Sequence, residues 1–209
     1  MSTLTQHLAP TTRLYLSVDL DFWNERSLAE CRKVLDYIKF RHKKIEIVDE
    51  HQDLLPDINR HEPDTVINLD YHSDISNNEA VEWSCNQEWD DKDQDYKAPL
   101  NCGTWANWVR EASRQHFLWL YPSGVKMSNA LCHEPKEPKY NPFRRPSVAG
   151  WERVTKKAVS KFPYYLIDNA IGVGLSLSKE WLNFGKDESL LGIVKDLFGE
   201  KRIEKVLDV

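Results

Sequence analysis

The chain has 209 residues, with 33 acidic against 28 basic side chains and a formal net charge of −5. That length supports a core without disulfide staples, and the acidic balance offers no electrostatic footprint for nucleic acid or an anionic membrane. Its four cysteines stand singly, without Cys-x-x-Cys spacing, which speaks against a zinc ribbon or a redox pair.

In chain order, residues 1–10 lack the basic and apolar regions of a signal peptide. No stretch approaches the roughly 18 apolar residues of a membrane span, so a cytoplasmic protein is expected. Arg13 to Val18 reads as a strand. Ser27 with Glu30 three residues later forms a capping-box pattern that opens a helix to about Phe40, with Leu28, Cys31, Leu35 and Ile38 at helical spacing. Lys44 to Val48 and Thr65 to Leu69 are the next strands. Residues 76 to 101 read as irregular, with the acidic run Asp90 to Asp95 as a solvated loop. Gly103 to about Gln115 reads as a helix, and His116 to Tyr121 as a strand stopped by Pro122. The proline-rich, charged stretch Cys132 to Pro146 reads as a long surface excursion. Tyr164 to Ile167 and Ala170 to Ser176 read as strands joined by a tight Asp168-Asn169 turn. From Asp187 an amphipathic helix or two follows, with Gly199 as the break. Strands separated by helical patterns favour a mainly parallel sheet with helical crossovers: an α/β three-layer sandwich, compact and in one domain over residues 1–209.

Three of these strands run straight into polar side chains. The first ends in Ser17-Val18-Asp19-Leu20-Asp21, the second is followed by Asp49-Glu50-His51, and the third ends in Asp70-Tyr71-His72-Ser73-Asp74. In extended chain, Asp70, His72 and Asp74 at i, i+2 and i+4 share one face. Burying such groups without a counter-ion is costly. Carboxylates and imidazoles suit manganese or a similar divalent ion better than a thiolate-seeking one. Asp19, Asp21, His51, Asp70, His72 and Asp74 are therefore candidate metal ligands, about the number that a two-ion site requires.

These segments resemble a family. Asp70-Tyr71-His72-Ser73-Asp74 is similar to the Asp-x-His-x-Asp signature of the arginase/agmatinase ureohydrolases, and Ser17-Val18-Asp19-Leu20-Asp21 to their Ser-x-Asp-x-Asp signature. An arginase-like branch that includes peptide arginases resembles the chain more closely. It shares the acidic-His segment ending in Leu-Pro (Asp49 to Pro56), a tryptophan-rich helix start (Trp105 to Val109) and the strand Gln115 to Trp119. In ordinary arginases the Ser-x-Asp-x-Asp segment comes after Asp-x-His-x-Asp, whereas here it comes first. A circularly permuted strand order is therefore implied.

The resemblance implies two Mn2+ ions, bridged by Asp19 and Asp70. His51 and Asp74 would complete one metal position, and His72 with Asp21 the other. It implies hydrolysis of a guanidinium group to urea and an amine: arginine within a peptide becoming ornithine, or free arginine or agmatine as a small guanidinium substrate. A planar guanidinium calls for a carboxylate. Glu180 is the candidate, with an exposed glutamate at a helix start as its alternative. His116 is the candidate proton shuttle, a core strand histidine being the alternative, and His133 is a weaker choice. His42 and His61 read as surface residues. Trp105 and Trp108 share a helix face, either as core or as an aromatic wall beside the substrate. A deacetylase-like amide hydrolase using one zinc and an Asp-His-Asp set, and a metal-stabilised binding protein without catalysis, are the other readings.

Overall fold

Five of the six strands read from the sequence align side by side, all in one direction. The computed structural model describes residues 12–24, 26–71, 88–90, 95–97, 116–123, 154–179, 182 and 186–208. In chain order the strands are β1 (Leu14–Asp19), β2 (Glu46–Val48), β3 (Thr65–Leu69), β4 (Glu88–Asp90), β5 (Asp95–Lys97), β6 (His116–Pro122), β7 (Val154–Val159) and β8 (Ala170–Ser176). Six of them form one sheet in the order β2-β8-β1-β3-β6-β7, with parallel pairing throughout. The helices are α1 (Leu28–Arg41), α2 (Leu55–His61), α3 (Tyr165–Asn169), α4 (Asp187–Phe198) and α5 (Glu200–Val206). The α/β class and the parallel sheet are as the sequence indicates.

β1 and β3 are buried along their whole length, as parallel strands covered on both faces must be. Alternation then gives the two faces different chemistry. Leu14, Leu16 and Val18 join Ile67, Leu69, Val173 and Leu175 in an aliphatic core with Cys31, Val34, Leu35 and Ile38 of α1 and Leu190, Val194 and Leu197 of α4. The intervening residues Tyr15, Ser17 and Asp19 face the other way. Their registered neighbours there are Val66 and Asn68 on β3, and Gly172, Gly174 and Ser176 on β8.

α2 covers this second face. Tyr15 Oη donates to Asp57 Oδ2 (2.8 Å), and Arg60 Nη1 donates to Asp57 Oδ1 (2.7 Å). Burial first, and the hydrogen bond to Asp57 second, push the Tyr15 hydroxyl pKa far above the ordinary tyrosine value, so this bond keeps its proton. The approach is close because β8 is bare at the contact. A Cβ at Gly174 would lie 2.5 Å from Leu54 Cδ2 and 2.7 Å from Tyr15 Oη.

Crossover handedness accounts for the helix positions. β1 to β2 and β2 to β3 move in opposite directions across the sheet, so right-handed connections put α1 and α2 on opposite faces. α3, on the return from β7 to β8, packs back on the α1 side, where Leu166 and Ile167 join the aliphatic core.

Four local expectations are corrected. Tyr164 to Ile167 is not a strand: Tyr165–Asn169 is a short helix, its turn started by Leu166 N–H to the Pro163 carbonyl (2.9 Å). A brief apolar run does not distinguish strand from helix. Ser27 is the extended residue before α1 but makes no side-chain cap. Both Glu30 oxygens instead accept from one edge of the Arg26 guanidinium, Oε2 from Nε (2.7 Å) and Oε1 from Nη2 (2.5 Å). The irregular stretch around the acidic run contains β4 and β5, an antiparallel pair in which Asp90 registers with Asp95. His42 and His61 are half-buried rather than superficial, bonding the carbonyls of Ile167 and Asp57. Gly199, at φ 98°, separates α4 from α5 as expected. The expected helix from Gly103 and the loop Cys132 to Pro146 lie outside the described residues. Among the described residues no helix is long and apolar enough to cross a membrane.

Candidate metal centre

Chain direction and strand order together create the site. β1 is followed by a crossover to one side and β3 arrives on the other, so the crevice beyond their C-terminal ends is the topological switch point where open α/β sheets bind ligands. Asp19 closes β1 and Asp70 follows β3 directly. His51 comes from the turn after β2, beyond β8 in the sheet. The chain past β8 is tied to that turn by Leu177 N–H to the Val48 carbonyl (2.9 Å) and Ser178 N–H to the Asp49 carbonyl (2.7 Å). With β8 ending there, His51 reaches across to Asp19 and Asp70.

His51 Nδ1 lies 3.1 Å from Asp19 Oδ2 and 3.4 Å from Asp70 Oδ2. The exposures of Asp19, His51 and Asp70 are 2%, 5% and 1%, and one ligand atom from each lies within 4.8 Å of the others. Metal bonds of roughly 2.0–2.2 Å leave adjacent ligand atoms roughly 2.9–3.5 Å apart, so both separations match the edge of a coordination polyhedron. Charge favours the same conclusion. Two carboxylates within 4.8 Å repel by at least about 3 kcal/mol at an effective dielectric near 20. A protonated His51 would cancel one negative charge, whereas a divalent cation beside a neutral imidazole cancels both. The donor set fits a metal ion.

Each carboxylate is held by its own strand neighbourhood. Asp19 Oδ1 accepts from Asp21 N–H (2.9 Å), and Asp19 Oδ2 from the Ser178 hydroxyl (2.6 Å). Asp70 Oδ2 accepts from Asn68 Nδ2 (2.8 Å), and the Asp70 carbonyl from the Trp119 indole N–H (3.1 Å). Asp21, at 1% exposure, is not one of the three residues in the close group. Its Oδ1 accepts from Tyr71 N–H at 3.1 Å, which places it against the segment leading to His72. The turn carrying Asp21 is clamped from outside: Lys186 Nζ donates to the carbonyls of Asn24 (2.6 Å) and Arg26 (3.0 Å).

The other expected site residues fare differently. His72, Asp74, Trp105 and Glu180 lie outside the described residues. His116 is corrected as a proton shuttle. It opens β6 opposite Thr65, the first residue of β3, so its backbone lies at the N-terminal edge of the sheet. Five residues at about 3.3 Å each put it about 16 Å from the level of Asp70. Asn68, Ser176 and Ser178 were not singled out from the sequence. Asn68 precedes Asp70 by two, and Ser176 closes β8 in register with Asp19, so the period-two rule that finds the aspartates also points to these two, whereas Ser178 lies past the end of β8.

Fold and buried group together define an α/β protein with a site able to hold a metal ion at the switch point of its sheet. Comparison with family models, curated proteins and solved structures gives no match to this chain. The site therefore rests on its own geometry.

Proposed function

We propose that this protein is a manganese-dependent hydrolase of guanidinium groups, converting arginine within a peptide to ornithine with release of urea. The observation that carries the reading is the meeting of Asp19, His51 and Asp70. Asp19 and Asp70 come from the two segments that resemble the ureohydrolase signatures, and His51 from the acidic-His segment that resembles the peptide-arginase branch. The adjacency of β1 and β3 also supports the idea of a permuted arginase-like chain, because neighbouring strand ends share a site whichever comes first in sequence.

Two Mn2+ ions are the proposed cofactors, held by Asp19, Asp21, His51, Asp70, His72 and Asp74. When bound, such ions supply Lewis acidity and a water-derived nucleophile at neutral pH. The chain's own contribution is orientation. Asp19 and Asp70 are fixed by neutral donors on their flanks, and Asp21 holds the backbone of Tyr71 immediately before His72. Glu180 is proposed to pair with the flat guanidinium cation, two residues beyond Ser178, whose hydroxyl already meets Asp19. Trp105 is proposed to flank the substrate. No role at this centre is proposed for His116.

Free arginine or agmatine is the alternative substrate of the same chemistry. A single-ion amide hydrolase is the second reading, favoured by the fact that three close groups are enough for one zinc. Metal content separates them: two manganese ions per chain are expected, against one zinc. Activity is tested by urea release from arginine, agmatine and an arginine-containing peptide, with mass spectrometry of the peptide. The expected outcome is ornithine in the peptide with the wild-type chain and none with Asp70→Ala. No urea from any of the three above that control would contradict the hydrolase reading.

A further inference from the structure

Ser178 occupies backbone that a serine rarely adopts. Its φ is 44°, in the left-handed region where glycine is the favoured residue. The residue is only 4% exposed, so this conformation is not a feature of a loose surface turn. Two hydrogen bonds fix it from the neighbouring segment, Ser178 N–H to the Asp49 carbonyl and Leu177 N–H to the Val48 carbonyl. The consequence is that the Ser178 hydroxyl is delivered 2.6 Å from Asp19 Oδ2, the same oxygen that lies 3.1 Å from His51 Nδ1. Behind it, Ser176 Oγ lies 2.8 Å from Ser178 Oγ and 3.0 Å from the Asp49 carbonyl. Two hydroxyl protons serve these three contacts. With the Ser178 proton directed at Asp19, the Ser176 proton is shared between Ser178 Oγ and the Asp49 carbonyl, and both hydroxyls support the carboxylate.

We infer that Ser178 is a positioning residue of the metal centre: its hydroxyl, backed by Ser176, fixes the Asp19 carboxylate in the orientation that meets the ion. This rests on the metal-binding reading above and adds to it the device that pre-orients one ligand. A glycine would relieve the backbone but lose the hydroxyl, so the residue present is the one that favours the site over the local conformation. Partners of metal ligands typically contribute 10- to 100-fold in metal affinity, and an effect of that size is expected here.

The test is calorimetric titration of the metal-free full chain with Mn2+, alongside Ser178→Ala, Ser178→Gly and Ser178→Thr, with circular dichroism to verify folding. Alanine removes the hydroxyl and keeps the side-chain crowding; glycine removes both; threonine keeps a hydroxyl and worsens the crowding. Affinity for Mn2+ is expected to fall about 10- to 100-fold in the alanine and glycine variants, and to be better retained in threonine. An order set by the backbone, with glycine binding as well as wild type and threonine weakest, would overturn the assignment. So would unchanged affinity in both alanine and glycine variants, which decide the question even should threonine fail to fold. Absence of Mn2+ binding by the wild-type chain would instead remove the metal reading itself, and this inference with it.

Discussion

Replacing Asp70 with asparagine is expected to abolish metal-induced stabilisation while leaving the metal-free protein at least as stable as wild type. The two effects have opposite signs because the carboxylate has opposite roles in the two states. Without a cation, Asp70 and Asp19 are buried carboxylates whose ligand atoms lie within 4.8 Å, and neutralising one relieves their repulsion. The amide oxygen that replaces Oδ2 still accepts from Asn68 Nδ2, so the local hydrogen bond survives. With a cation present, a charged ligand has been lost, and affinity falls by more than the roughly 10- to 100-fold typical of a mere supporting partner. An ion at about 100 times its Kd stabilises a folded chain by about 2.7 kcal/mol, roughly 5–10 °C in Tm for a protein of this size. Thermal unfolding with and without Mn2+ measures both quantities. A metal-free variant several degrees less stable than wild type, or one that still gains the full shift with Mn2+, would show that Asp70 serves the fold and not an ion.

Trp119→Ala is expected to be the most damaging single truncation near the site. Trp119 is completely buried, stands opposite Asn68 in the β3–β6 register, and packs on Tyr121 at 4.7 Å between ring centroids. Its indole N–H also holds the Asp70 carbonyl. Truncating a buried tryptophan to alanine costs about 3–5 kcal/mol. That is a large part of the roughly 5–15 kcal/mol by which folded domains are stable. At about 2–4 °C per kcal/mol, Tm falls by roughly 6–20 °C. Trp119→Phe separates the two contributions, keeping most of the ring and losing the donor to the Asp70 carbonyl, at a cost of about 0.5–1.5 kcal/mol for the lost hydrogen bond. Urea denaturation of the three proteins measures this series. An alanine variant within about 1 kcal/mol of wild type would contradict the packing described.

The three close side chains were legible because acidic and imidazole side chains follow apolar runs, and period two places Asp19 and Asp70 at strand ends without further information. What joins them was not. The sheet order sends β8 back between β2 and β1, a long-range choice made by crossover packing that no local window contains. Ser178 escaped notice for a related reason: a serine in left-handed backbone looks like any loop serine until its φ is known. The role first given to His116 failed on evidence the sequence did hold. In a parallel sheet all strand starts lie at one edge and all strand ends at the other, so a residue opening β6 cannot meet residues closing β1 and β3. Tyr164 to Ile167 failed differently, since an apolar run that short fits one helical turn as well as a strand.

Anomalous diffraction at the manganese edge, from crystals of the full chain grown with Mn2+, tests the account at its centre. A peak bonded by Asp19, His51 Nδ1 and Asp70 is the expected result. A map with no anomalous density within bonding reach of those three side chains, and His51 hydrogen-bonded to both carboxylates instead, would contradict it.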